Sequence, residues 1–373
     1  MKLAAVELRR IRLELVAPFR TSFGSQTERD ILLVHAFTEA ADGWGECVAL
    51  AEPVYSSEYV DGAQHAITHH LLPRLFAEPD LTADKVGEVL HPIQGHRMAK
   101  ACLEMAVLDA QLRSQGTSWG EHFGATKAEV DCGVSVGIHE DVPGLLEEVG
   151  AYVAEGYRRV KLKIQPGWDV EPVRAVRERF PDLALQVDAN AAYTLADARH
   201  LARLDAFDLL LIEQPLPEEQ VRAHAALAAR LATPVCLDES IVSAQSAADA
   251  IAMGACAVVN VKPSRVGGYL EARRIHDVCL AHGVAVWCGG MLETGLGRAG
   301  NVALAALPGF TLPGDISASD RYYRRDVTEP FVLRDGTLRV PTGPGLGVQV
   351  DDAALREVTT SVDVVDRRSA GQP

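Results

Sequence analysis

The sequence predicts an α/β protein, a barrel of consecutive βα units of the TIM type preceded by a smaller α+β domain. The first observation is a period. Lys163, Asp188, Glu213, Asp238 and Lys262 follow one another at steps of 25, 25, 25 and 24 residues, and each ends a short apolar run. About 25 residues is the length of one strand, one helix and two short connections. The second is that a further step lands on Trp287, in the strand-like run Val284-Ala285-Val286-Trp287. The third is length: 373 residues exceed one ordinary barrel by roughly a hundred.

Taken in order, Leu3 to Val16 and Ile31 to Thr38 read as strands of a meander, joined by a loop over Pro18 to Gly24. Apolar residues at three- and four-residue spacing then mark helices over Ala63–Ala77, Ala83–Val89 and Arg97–Arg113, which completes an α+β domain over residues 1–125. From Cys132 to Val136 onward, strand and helix patterns alternate. Helices are predicted near Val142–Glu155, Val170–Arg179, Leu195–Leu204, Gln220–Leu231, Ser243–Met253, Tyr269–His282 and Arg298–Ala306. The barrel domain spans 126–319, and the turn-rich tail 320–373 is expected to fold back onto the first domain.

Composition narrows the function. Apolar residues make up 48% of the chain, but no stretch approaches a membrane span and Met1 to Val16 lacks a signal-peptide core. A cytosolic enzyme is expected, with no membrane partner. Thirty-six basic against 51 acidic residues give a net charge of −15, which opposes nucleic-acid binding. Seven cysteines form no C-x-x-C pair and read as reduced core thiols.

The periodic charges carry the chemistry. One charge after a strand is ordinarily a solvated loop residue, but five in register are not explained that way. Barrel chemistry sits at the C-terminal ends of strands. There Asp188, Glu213 and Asp238 would repel one another unless a cation lay among them. Oxygen-only ligation points to Mg²⁺ or Mn²⁺ in place of zinc. The plainer alternative is a structural network in which these acids pair with Lys161, Lys163 and Lys262. Lys161 and Lys163, two apart on one strand, face the same side, and their mutual repulsion is expected to lower the pKa of at least one. Lys262 ends the strand four units on, so a bound substrate would have an amine on each side, as suits proton transfer at a carbon α to a carboxylate.

On these stretches the chain resembles the enolase superfamily, and within its muconate-lactonizing-like subgroup the o-succinylbenzoate synthase/N-acylamino acid (N-succinylamino acid) racemase family. The most specific matches are Val160-Lys161-Leu162-Lys163, Gln186-Val187-Asp188-Ala189-Asn190, Leu211-Ile212-Glu213-Gln214-Pro215, Cys236-Leu237-Asp238-Glu239-Ser240, Val261-Lys262-Pro263-Ser264-Arg265-Val266-Gly267-Gly268 and Gly289-Gly290-Met291-Leu292-Glu293-Thr294-Gly295. The resemblance implies a modified TIM barrel, (β/α)7β-like, with an N-terminal α+β capping domain. It implies Mg²⁺ or another divalent metal on Asp188, Glu213 and Asp238, and Lys163 and Lys262 as the acid/base pair. Lys161 and Asn190 would hold the substrate carboxylate. Ser135 and the Gly289, Gly290 and Met291 backbone would line the acyl end, with Phe19, Phe23 and Tyr55 closing over it, although these aromatics equally suit a domain staple. Glu293 and Arg298 read as scaffold. A small-molecule carboxylate is the implied substrate and a homo-oligomer, an octamer among the candidates, the implied assembly.

Neighbouring activities are weighed residue by residue. A mandelate-racemase-like site would need a histidine base on a late strand, and Val284 to Gly290 has none. A dipeptide epimerase would carry Asp-x-Asp near the last strand, where Leu312 to Ser317 supplies Asp315 alone. Muconate cycloisomerase shares the lysines and acids and stays open. A non-catalytic binding protein on a decayed barrel is disfavoured by the complete set of acids and bases.

Overall fold

A computed structural model describes residues 1–367. Its first part is an antiparallel sheet of β1 (Leu3–Thr21), β2 (Gly24–Thr38) and β3 (Asp42–Cys47), to which the late strand β13 (Thr359–Asp366) adds along the outer side of β1. The helix Arg97–Gln115 lies across β3 and is buried on nearly every face, because it is held between this sheet and the barrel. Gly43 and Gly45 permit that approach. A Cβ on either would come within 2.2 Å of Ala106 O or 2.0 Å of Cys102 O.

The segment Pro18 to Gly24 is not a loop, as the sequence suggested. After a register shift between Glu14 and Phe19 the ladder resumes, with Phe19 opposite Gln26, Arg20 opposite Ser25 and Thr21 opposite Gly24. The irregularity absorbs Pro18, which cannot donate to a ladder. Only Ser22 and Phe23 turn, so the hairpin becomes a stiff arm. It is anchored to the barrel by Ile138 N–H donating to Arg20 O (2.9 Å) and to the chain beyond the barrel by Val16 N–H donating to Tyr322 O (3.0 Å).

Seven parallel strands follow: β5 (Gly133–Val136), β6 (Arg159–Lys163), β7 (Ala184–Asp188), β8 (Ile212–Glu213), β9 (Val235–Leu237), β10 (Val258–Val261) and β11 (Ala285–Cys288). Each pairs with its chain neighbour. Nearly every residue in them is buried, as expected of parallel strands covered on both faces. The segment 310–316 closes the ring irregularly: Phe310 bridges Val286, Gly314 bridges Cys132, and Asp315 N–H donates to Cys288 O at 2.9 Å. A two-stranded ribbon of β4 (Glu129–Asp131) and β12 (Thr337–Arg339) lies beside the start of β5.

Two helix expectations change. The helix expected from Arg298 begins at Gly295. Its first turn is rich in glycine because Thr328 and Glu46 occupy the space; a Cβ at Gly295 would meet Thr328 Oγ1 at 1.8 Å and one at Gly297 would meet Glu46 Oε2 at 2.9 Å. The expected helix Leu195–Leu204 is a series of short 3-10 and α turns over 195–207. Beyond the barrel, Trp119 N–H donates to Gly345 O (3.1 Å) and Leu346 N–H to Asp109 Oδ1 (2.7 Å), so the tail lies on the first domain; residues 368–373 lie outside the described residues. All seven cysteines are free. Among the described residues no helix is long and apolar enough to cross a membrane.

Candidate active site

The strand register places the charged side chains along one arc of the barrel mouth. Lys163, Asp188 and Glu213 are successive ladder partners on β6, β7 and β8, Asp238 follows β9, and Lys262 follows β10. All are buried. Above them is a cavity whose barrel side includes Ser135, Lys161, Lys163, Asn190, Lys262, Gly290 and Met291. Its roof is the hairpin arm, with Phe19 and Phe23, together with Tyr55. Phe23 and Tyr55 pack at 6.3 Å between ring centres, and Phe19 meets Tyr322 edge-on at 6.3 Å.

Gly289 is the exception among the proposed lining residues. It sits behind the cavity wall, where a Cβ would meet Asn260 Oδ1 at 2.3 Å and Lys262 Cε at 2.7 Å; its small size makes room for Lys262. Glu293 and Arg298 also lie off the cavity. Glu293 accepts from Asn301 (3.0 Å), and Arg298 donates to Glu293 O (3.0 Å) and to Ser317 O.

The acids and lysines are paired closely. Lys163 Nζ donates to Asp188 Oδ2 (2.6 Å) and Asn190 Oδ1 (2.7 Å). Lys161 Nζ lies 2.9 Å from Glu213, 3.2 Å from Asp188 and 2.5 Å from Asp315. Lys262 Nζ donates to Asp238 (2.7 Å) and to Tyr55 OH (3.1 Å), and Arg265 also binds Asp238. The ion pairs of the plainer alternative are therefore formed, and they are formed in strand-end register. For Lys161, one of the two lysines in which a depression was expected, they act in the opposite direction. Burial alone would pull Lys161 down, but Asp315, Glu213 and Asp188 outweigh it and hold its pKa above the ordinary lysine value. Lys262 is held up against burial by Tyr55, Glu213 and Glu239. Like-charge repulsion between lysines loses to the surrounding acids.

Among the described residues no three His, Cys, Asp or Glu side chains already converge as a ligand set; ammonium groups lie between the carboxylates. The donor chemistry nevertheless fits a hard divalent cation. Burial and then the charge of Asp188 push the Glu213 carboxyl up. Glu239, beside Asp238, is pushed up to about 7 by burial and Asp188, and its Oε2 is buried without a hydrogen-bond partner. Asp188 itself is held low against burial by Lys163 and Lys161, but a buried acid whose ionisation a neighbouring carboxylate disfavours is what a divalent ion relieves, and every candidate donor is oxygen.

Several residues escaped the sequence reading. Asp315 joins Lys161 to Arg159 (2.6 Å), and both basic groups lie against the Trp287 ring, at 4.8 and 5.2 Å. Tyr322 completes the wall beside Phe19. Asn260 donates to Glu213 (2.7 Å). Arg265 could have been found from its spacing, three residues after Lys262 and thus one helical turn on. Asp315 and Tyr322 lie on irregular chain, where no periodicity marks them.

Comparison with known proteins adds to this geometry. The mandelate racemase/muconate lactonizing enzyme N-terminal domain family matches residues 5–124, and the enolase C-terminal domain-like family matches 144–354. An N-succinylamino acid racemase from Amycolatopsis is 66% identical over 97% of this chain and 98% of its own. An o-succinylbenzoate synthase from Geobacillus kaustophilus is 47% identical over 95% of each chain. The crystal structure of an enolase-superfamily member from Listeria innocua superposes with a TM-score of 0.95 at 41% identity, covering 98% of this chain and 100% of its own.

Proposed function

The chain belongs to the enolase superfamily, in its mandelate racemase/muconate lactonizing enzyme group, and from that premise we propose that it removes the proton α to a carboxylate in N-succinylamino acids and in 2-succinyl-6-hydroxy-2,4-cyclohexadiene-1-carboxylate. Racemization of the first and dehydration of the second to o-succinylbenzoate share that step. The observation that carries this reading is the placement of Lys163 and Lys262 at the ends of β6 and β10, four strands apart on the ring and lining one cavity. The names of the similar racemases and synthases support the substrate class.

Asp188, Glu213 and Asp238 would hold Mg²⁺ or another divalent ion, which when bound supplies electrophilic stabilisation of the charge that develops on the substrate carboxylate. Lys161 and Asn190 orient that carboxylate. Lys163 takes the α-proton on one face, and Lys262 returns a proton on the other, giving the opposite enantiomer. In the dehydration Lys163 takes the α-proton and then delivers a proton to the departing hydroxyl, which leaves as water, with Lys262 acting mainly as a nearby cation. The arm carrying Phe19 and Phe23, with Tyr55, excludes water. A small-molecule carboxylate is the only small partner required, the net charge of −15 opposes nucleic-acid binding, and a cytosolic homo-oligomer is the assembly that the family resemblance suggests.

Steady-state assays on an N-succinylamino acid, on the cyclohexadiene carboxylate and on the free amino acid test the reading. Turnover of the first two with the free amino acid unreactive is expected, because the acyl arm supplies the binding energy that orients the α-carbon. Comparable rates on the free amino acid would overturn the acyl-arm requirement.

A further inference from the structure

Arg321 stands behind the cavity wall and takes no part in the proton transfer described above. It ends a short 3-10 turn (Ser319–Arg321) and is nearly buried. Its Nη2 donates to Ser135 O on β5 at 3.0 Å. The guanidinium carbon lies 5.9 Å from the ring centre of Phe19 and 5.1 Å from that of Tyr322. Phe19, Ser135 and Tyr322 face the cavity, whereas Arg321 opens on the other side of Phe19, into a separate cleft shared with Glu148 and Tyr152. One cation therefore touches three residues of the acyl-end wall from behind, Phe19 from the hairpin arm, Ser135 from the barrel and Tyr322 from the chain beyond it.

That cation is incompletely neutralised. Its ion pair is with Glu148 at 3.4 Å, and Glu148 is already engaged by His139 (2.5 Å) and by Tyr152 OH (3.0 Å). Arg321 Nε is buried with no hydrogen-bond partner. By contrast, Lys161, Lys163 and Lys262 each have close carboxylates. A second negative charge at the acyl end of a substrate would meet, behind Phe19, Ser135 and Tyr322, a buried cation whose one ion pair is shared with other groups, across a poorly screened wall.

We propose that Arg321 is a specificity-determining residue that favours acyl arms ending in a carboxylate, both by holding Phe19, Ser135 and Tyr322 in place and by its charge. The proposal rests on the reading of the substrate as an N-succinylamino acid. It is a positioning role, since Arg321 touches none of the groups that move the proton.

The test compares racemization of an N-succinylamino acid with that of its N-succinamoyl analogue, which has the same length and no terminal charge. Wild type should prefer the charged arm in kcat/KM by roughly tenfold, the scale of one partly screened ion pair, and the preference should lie in KM. Arg321→Met should bring the ratio close to one, Arg321→Lys should restore part of it, and Glu148→Gln, which removes the competing acid, should raise it. Equal losses on both substrates in Arg321→Met would leave only a wall staple and overturn the proposal. So would a wild type without the preference, a result that needs no variant to fold. If wild type racemizes neither compound, the parent reading fails instead.

Discussion

Glu46, on β3 of the capping domain, closes the start of a barrel helix by accepting from Thr294 N–H at 3.0 Å and Thr294 Oγ1–H at 2.7 Å, and it also accepts from Gly297 N–H at 3.0 Å. The two residues are 248 positions apart. A carboxylate at a helix N-terminus is favourable, but this one is fully buried beside Glu293, and burial pushes its pKa up to about 7.

The sign of the consequence follows from that shift. A folded-state value near 7 against an ordinary 4.5 means that the folded chain keeps this proton where the unfolded chain has released it. The contribution to stability is full below the unfolded value and is lost as pH rises through about 7. Glu46→Gln removes it. The variant is expected to melt lower than wild type at about pH 5 and to gain on wild type as pH rises to about 8. Glu104, likewise buried and pushed up to about 7, leaves the variant a residual slope. Melting curves across this range check the trend, and a constant difference would contradict it.

Tyr55 brings a cap residue directly onto a proposed base. Its hydroxyl lies 3.1 Å from Lys262 Nζ and 3.3 Å from Asp238, and its ring centre lies 4.8 Å from the same ammonium. Tyr55→Phe keeps the ring and its packing on Phe23 while deleting a hydrogen bond to a charged group, worth about 1.5–3 kcal/mol. A fall in kcat of about ten- to a hundredfold is expected, with the melting temperature nearly unchanged. Wild-type kcat in the variant would make the hydroxyl passive.

The βα period was readable because parallel strands buried on both faces give uninterrupted apolar runs, and Lys163, Asp188, Glu213, Asp238 and Lys262 each stop one at the same end. What a one-dimensional pattern lacks is distance across the fold. Glu46 and Thr294, or Arg321 and Ser135, meet only because the cap and the chain beyond β11 close over the barrel. The hairpin arm was misread because Pro18 and Gly24 are turn residues in most settings, and the register shift that accommodates Pro18 leaves no local mark. That Lys161 is held up and not lowered was hidden for a similar reason: Asp315, which with Glu213 and Asp188 outweighs burial there, arrives from an irregular segment.

The metal assignment is tested at Glu213, which accepts from Lys161 (2.9 Å) and Asn260 (2.7 Å). Glu213→Gln changes one charge with little change of shape. Lys161 retains Asp188 and Asp315 as partners, so the fold should persist while calorimetric Mg²⁺ affinity falls at least tenfold and turnover collapses. Unfolding without any change in metal affinity would instead favour the purely structural ion-pair network.

The two lysines are separated by isotope exchange. Lys163 ends β6 and Lys262 follows β10, both lining one cavity, and on the two-base proposal each would address a different face of an α-carbon held there. In D₂O, wild type should exchange the α-proton of both enantiomers of an N-succinylamino acid. Lys163→Ala and Lys262→Ala should each abolish racemization, because inversion needs removal on one face and return on the other. Either remaining lysine can still remove and return a proton on its own side, so any residual exchange should be confined to one enantiomer, and to opposite enantiomers in the two variants. Proton NMR of each enantiomer with each variant reads this directly. If both variants retained exchange of the same enantiomer, the lysines would share a face and the two-base geometry would be wrong.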